Sequence, residues 1–158
     1  MTDQEIVDKA RAALGDRLVE ITHPAVRRIF LTVEVSNLLA AVEALKQELG
    51  IRYLATVSGL DKGEFFEILY HFGYAGGNLN VRTRVSKAEG GHLPSICSVI
   101  PGAVLYEREL QDMFGIVVDN IPDARRLVLP DDWPAENFPL RKDWKFERPE
   151  EIIPGGKK

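Results

Sequence analysis

Cysteine is almost missing from this chain: Cys97 stands alone among 158 residues. No internal disulfide can form, and no iron-sulfur cluster or structural zinc that needs two or more thiolates can be held by this chain alone. Long hydrophobic runs are missing as well. The longest nearly apolar stretch, Ile96 to Tyr106, falls far short of the roughly 20 residues of a membrane helix and contains Pro101 and Gly102, so the chain is expected to span no bilayer. Charge of one sign is not in excess. With 20 basic against 24 acidic residues the net charge is only -4, which argues against nucleic acid as a partner. Histidine is scarce, and His23, His71 and His92 fall in separate segments with no companion at i+3 or i+4, so no metal site is expected. Ser36 and Ser58 lack the flanking glycines of a nucleophile elbow, and Gly73-Tyr74-Ala75-Gly76-Gly77 fits neither a phosphate loop nor a dinucleotide fingerprint. The opening Met1-Thr2-Asp3-Gln4-Glu5 lacks the basic-then-apolar order of a secretory signal, and a cytoplasmic location is the expectation.

What is present is an ordinary folding composition, 45% hydrophobic and 28% charged. Thr2 and Glu5 have the spacing of a capping box, and Ile6, Ala10, Ala13 and Leu14 recur at helical intervals up to Gly15. Val26 to Val35 alternates with period two and reads as a strand. Ser36 or Asn37 is placed to cap a second helix carrying Leu38, Val42, Leu45 and Leu49, with Gly50 ending it. Tyr53 to Val57, Phe65 to Phe72 and Leu79 to Val85 read as three further strands, joined by the turns Asp61-Lys62-Gly63 and Ala75-Gly76-Gly77-Asn78. The expected class is α+β: a small, mostly antiparallel sheet covered by helices. Residues 1–118 form the globular part and 119–158 an extended, proline-rich arm.

A third helix is expected to run from about Pro101 to Phe114, with Gly115 as its stop. It mixes Glu107, Arg108, Glu109 and Asp112 with the apolar stripe Ala103, Tyr106, Leu110, Met113 and Phe114. Arg108 and Asp112 have the spacing of an ion pair, and Glu109 neighbours Asp112 on the same face. Downstream, Arg125, Arg126 and Arg141 are candidate bidentate partners for Glu107, Glu109 and Asp112. Trp133, Phe138, Trp144 and Phe146 alternate with charges along a segment that has no face to bury on its own, which suits an interface. Two other readings use the same residues: an acid-base enzyme in which Glu109 and Asp112 share protons, and an unrelated adaptor module. Cys97, in an apolar segment, reads as a small buried hydrophobe.

From Tyr106 to Ile116, and again in Ile121-Pro122-Asp123-Ala124-Arg125-Arg126-Leu127-Val128-Leu129-Pro130 and Pro139-Leu140-Arg141-Lys142-Asp143, the sequence resembles the C subunit of complex I, the respiratory NADH:quinone oxidoreductase. The resemblance covers about residues 104 to 144. Two departures matter. Ile121 stands where the family usually has histidine, and Asn137-Phe138 replaces a common Gly-His; the latter form looks more like the homologous subunits of membrane-bound energy-converting nickel-iron hydrogenases. The resemblance implies a subunit that binds no cofactor itself, the iron-sulfur, flavin or nickel-iron centres residing in partner subunits. It implies a place in the peripheral arm, on the inner face of the cytoplasmic membrane. The implied neighbours are the large quinone-site or nickel-iron subunit and an iron-sulfur subunit. Carried over position by position, Glu107, Arg108, Glu109, Asp112, Arg125, Arg126, Arg141, Lys142 and Asp143 are motif residues, expected to hold helix, arm and neighbour together, with Trp133 and Trp144 added as interface aromatics.

Overall fold

Thr2 caps α1 (Asp3–Leu14) in the way its spacing to Glu5 predicts: Thr2 Oγ1 accepts from the Glu5 N–H at 3.2 Å, and the Glu5 carboxylate accepts from the Thr2 N–H at 2.7 Å. The computed structural model describes residues 1–145; Phe146, Pro149, Pro154 and the closing Gly155-Gly156-Lys157-Lys158 lie outside the described residues. After α1 come β1 (Leu18–Ala25), β2 (Arg28–Val33), α2 (Leu38–Leu49), β3 (Tyr53–Asp61), β4 (Phe65–Tyr74) and β5 (Gly77–Ser86). Then follow β6 (His92–Pro94), α3 (Val104–Phe114) and β7 (Val117–Asp119). The class is α+β, with a five-stranded sheet in the order β1-β2-β5-β4-β3 and a small parallel pair, β6-β7.

Three details differ from the expected layout or add to it. The strand expected from Val26 to Val35 is β2, shortened to Arg28–Val33; it forms a hairpin with β1, which the expectation omits, and Arg27 turns the corner between them with φ 60°. β1 escapes a periodicity test because it is an edge strand, largely exposed on both faces, with Glu20, Thr22 and His23 where a buried strand would carry apolar residues. The sheet is mostly antiparallel, as expected, with one parallel pair, β2 and β5, that the expectation does not specify. Helix α2 and the antiparallel pair β3-β4 intervene between them, so the chain re-enters beside β2 running in the same direction. Finally, Ser36 and Asn37 lie in a 3-10 turn, and Asn37 makes no side-chain capping bond to α2.

One face of the sheet is the core. Phe66, Ile68, Tyr70 and Phe72 of β4 and Leu79, Val81 and Val85 of β5 lie there in alternation, packed with Ile6, Ala10 and Leu14 of α1 and Leu38, Val42 and Leu45 of α2. Helix α3 reaches the same face at β3. Gly59 makes this possible: a β-carbon there would stand 2.6 Å from Phe114 and 2.9 Å from Leu110. β3 itself runs on through Gly59 to Asp61, paired with β4 beyond the expected end at Val57. Phe114 meets Phe66 edge-on at 5.6 Å, which fixes the carboxyl end of α3 over the sheet.

Candidate functional site

Glu107 and Asp112 project from opposite sides of α3 and meet different parts of the chain. Glu107 is wholly buried. It accepts from Ser95 Oγ at 2.6 Å, the Ile96 N–H at 2.9 Å, Cys97 Sγ at 3.2 Å and the Tyr70 hydroxyl at 3.3 Å. Four donors from β4 and the 95–97 turn thus converge on one carboxyl group, and no cation lies within ion-pair distance of it among the described residues. Burial pushes the Tyr70 hydroxyl well above its ordinary pKa, reinforced by Glu107, so it remains a donor. Burial likewise raises the Cys97 thiol to about 11, with Glu107 adding to the rise, and leaves it a packed group without thiolate character.

Asp112 faces the arm. One of its oxygens, Oδ2, accepts from three consecutive backbone N–H groups, those of Leu127 at 2.9 Å, Val128 at 2.8 Å and Leu129 at 3.2 Å. Burial opposes its charge, but the three donors and the Arg126 guanidinium outweigh that cost and hold the carboxyl below its ordinary pKa. Arg108, on the same side, donates from Nε to the Arg125 carbonyl at 2.7 Å and from Nη2 to the Arg126 carbonyl at 2.8 Å, and pairs with Asp123 at 3.3 Å. An extended segment has no ladder of its own, so its N–H and C=O groups need outside partners. α3 supplies a carboxylate for the first and a guanidinium for the second.

A second anchor lies at the end of the helix. Arg141 donates to the Phe114 carbonyl at 2.5 Å, with its guanidinium 4.5 Å from the Phe138 ring centroid and 5.4 Å from that of Phe66. The Leu140 N–H reaches the Met113 carbonyl at 3.1 Å. Gly115 allows this crossing twice over. Its φ of 67° suits glycine, and a β-carbon there would overlap the Phe138 ring and stand 2.8 Å from Arg141. A few residues on, the Lys142 N–H donates to Asp61 at 2.9 Å, while Asp61 also accepts from Lys87 Nζ at 2.7 Å and the Gly63 N–H at 2.8 Å.

The expected pairing of arm guanidiniums with helix carboxylates is thus not the one formed. Glu107 points away from the arm, and Glu109 is exposed. Arg125 grips the neighbouring Asp123 at 2.7 Å; Arg126 donates to the carbonyls of Pro130 and Trp133, both at 3.1 Å. Arg108 pairs with Asp123, and Asp112 accepts arm N–H groups, so the expected Arg108–Asp112 pair is absent. Trp133 donates to the Asn137 carbonyl at 2.8 Å and lies 6.3 Å from Trp144, while Lys142 and Asp143 keep exposed side chains. Nor does the geometry favour shared protons: Asp112 is held ionised, the reverse of a poised acid. Sequence reasoning missed Asp61, whose turn-forming bond to Gly63 gives a sufficient local reason for an aspartate and hides its second role.

The two anchors also make the arm sensitive to acid. Burial opposes the charge of Asp61, but Lys87, Lys142 and Gly63 prevail and bring its carboxyl from 3.8 to about 2. A depressed carboxylate contributes stability that is complete above its unfolded pKa and lost as pH falls through the folded value. The arm is therefore expected to leave the body between about pH 4 and pH 2. The chain has two tryptophans, Trp133 and Trp144, both in the arm, so their emission reads it selectively. A fluorescence transition in that window, ahead of the loss of far-ultraviolet dichroism, is the expected result, and a single merged transition would contradict it.

α3 and the segment that follows it thus form one hydrogen-bonded unit, in which Arg108 and Asp112 fix the backbone of residues 125–129. The chain belongs to the family of the respiratory-chain NADH dehydrogenase 30 kDa subunit, whose model matches residues 31–150. It is 33% identical over 149 residues to the C subunit of the NADH-quinone oxidoreductase of Methylobacterium radiotolerans, covering 87% of this chain and 68% of that protein. To the corresponding C subunit of Streptomyces coelicolor it is 34% identical, covering 89% of this chain and 60% of that one. Formate hydrogenlyase subunit 5 of Escherichia coli is 38% identical over 122 residues, 73% of this chain but 21% of the longer protein. The fold matches a chain in the structure of the membrane-bound sulfane sulfur reductase, an archaeal respiratory membrane complex, with TM-score 0.79 and 22% identity over 90% of this chain and 85% of that one. The family thus comprises subunits of complex I and of related hydrogenase and respiratory complexes. Among the described residues no helix is long and apolar enough to cross a membrane, and no group of three or more metal-ligating side chains converges.

Proposed function

We propose that this chain is a cofactor-free assembly subunit of a membrane-associated, proton-translocating redox complex, held on the inner face of the cytoplasmic membrane through that complex. In this reading its arm packs against the large subunit, quinone-site or nickel-iron, with an iron-sulfur subunit as a further neighbour. The observation that carries the reading is an arm whose backbone is fixed while its apolar side chains face outward. Leu127, Val128 and Leu140 are 41%, 54% and 53% exposed, although the N–H of each is bonded to α3 or the residues of its helix end. A pre-ordered backbone lowers the entropic cost of docking those side chains. The likeness to formate hydrogenlyase subunit 5, together with Asn137-Phe138, supports the energy-converting hydrogenase type over the NADH-linked type.

The test uses the tagged full chain purified with its native complex in mild detergent. Val128→Asp with Leu140→Asp changes two exposed side chains, and far-ultraviolet dichroism checks that the fold is retained. Recovery of the large subunit should fall by roughly tenfold or more, since apolar anchors dominate such contacts. Undiminished recovery would refute the reading, and the identity of the large subunit in the parent complex, nickel-iron or quinone-site, decides the type.

A further inference from the structure

Away from the arm, a cleft of about 600 Å³ opens between the end of α2, the start of β3 and the turn that leads into α3. Its lining includes Lys46, Arg52, Tyr53, Leu54, Ile100 and Pro101, and among the described residues no carboxylate lines it. Neither cation is neutralised by an ion pair among the described residues. Lys46 is oriented by one bond, from Nζ to the Val99 carbonyl at 2.7 Å, and an ammonium has two further donors to offer. Arg52 is exposed. Tyr53 is 68% exposed, yet its ring does not hang free: it lies over Gly73 of the adjacent strand, where a β-carbon would stand 2.8 Å from the ring. A rigid aromatic next to an arginine, over a partly apolar floor, is the composition of an interface hot spot.

We propose that this cleft is a second docking site, for an acidic segment of a neighbouring protein subunit, with Arg52 and Lys46 receiving its carboxylates and Tyr53 packing against the chain beside them. The choice of occupant rests on charge: two cations with no ion-pair partner and no acid beside them among the described residues suit carboxylates, and Leu54, Ile100 and Pro101 suit the rest of a peptide. The inference rests on the reading of this chain as an assembly subunit and adds a contact on another side of the molecule from the arm.

A photo-crosslinking side chain, p-benzoylphenylalanine, at Gly102 tests it in the intact complex. Gly102 borders the cleft, and a side chain there meets open space. The expected result is an adduct with one neighbouring subunit at a peptide containing aspartate or glutamate. Arg52→Glu should cut that adduct by roughly tenfold, and converting the crosslinked acid to lysine should restore it. An adduct with lipid, an adduct to a peptide lacking acidic residues, no adduct, or no response to Arg52→Glu would each overturn the proposal. Dichroism of the Arg52→Glu chain confirms that its fold is retained. Failure here with loss of the large subunit in the Val128→Asp, Leu140→Asp chain would sink the cleft alone, whereas an intact complex in both would sink the assembly reading itself.

Discussion

Glu107→Ala is expected to destabilise the chain by about 3–5 kcal/mol, a large share of the 5–15 kcal/mol by which domains of this kind are stable. The replacement orphans the Ile96 N–H, the Ser95 hydroxyl, the Tyr70 hydroxyl and the Cys97 thiol at once, in a place where no solvent can take over. Glu107→Gln discriminates between shape and chemistry. Its amide oxygen can still accept, but its NH2 cannot accept from Ser95 and Cys97 as the second carboxylate oxygen does, so roughly half of the loss should remain. Urea denaturation followed by far-ultraviolet dichroism measures both. A midpoint for Glu107→Ala that equals the parent's would mean that the network does not hold α3 in place.

The consequence of that network is mechanical. By tying α3 to β4 and to the 95–97 turn, Glu107 makes the helix a fixed platform, and the side chains on its other flank, Arg108 and Asp112, are then held at fixed positions for the arm. Disturbing the buried side should therefore loosen the exposed side, while the reverse does not follow.

Much of the body is legible in the sequence because it rests on local signals. The capping box at Thr2, the apolar stripe of α2 and the alternation along β5 each follow from a few residues whose spacing admits one geometry. β1 is not legible, because an edge strand exposed on both faces carries no alternation. The parallel pairing of β2 with β5 depends on what intervenes between them and not on either strand. The motif residues stand out by type, but their partners do not. Residue types suggest matches of side chain with side chain, guanidinium to carboxylate, whereas the extended arm's greatest need lies in its backbone, and a backbone group has no identity in a sequence. Arg141 illustrates the point: its type suggests a carboxylate partner, yet it caps the carbonyl of Phe114 beside two aromatic rings.

Asp112→Ala should release the arm without unfolding the body. The three N–H groups of Leu127, Val128 and Leu129 lose a charged acceptor, and hydrogen bonds to charged groups contribute about 1.5–3 kcal/mol each at most and less than additively as a set. These residues lie near the surface, so water replaces the lost acceptor once the segment lifts, and the loss falls on local docking instead of on global stability. Amide hydrogen exchange separates the two: protection at Leu127 to Leu129 should drop by roughly 100-fold while that of β4 and β5 stays within about threefold of the parent. Asp112→Asn, which keeps an acceptor oxygen but no charge, should fall between. If Asp112→Ala lowered protection across the central strands as much as in the arm, the carboxylate would be part of the core's own stability. If it lowered neither, the arm would be held chiefly by Arg108, Arg141 and Asp61. The intermediate pattern, a loosened arm on an intact sheet, fits the proposed assembly role, because the body then folds independently while Asp112 governs the part of the arm that displays Leu127 and Val128.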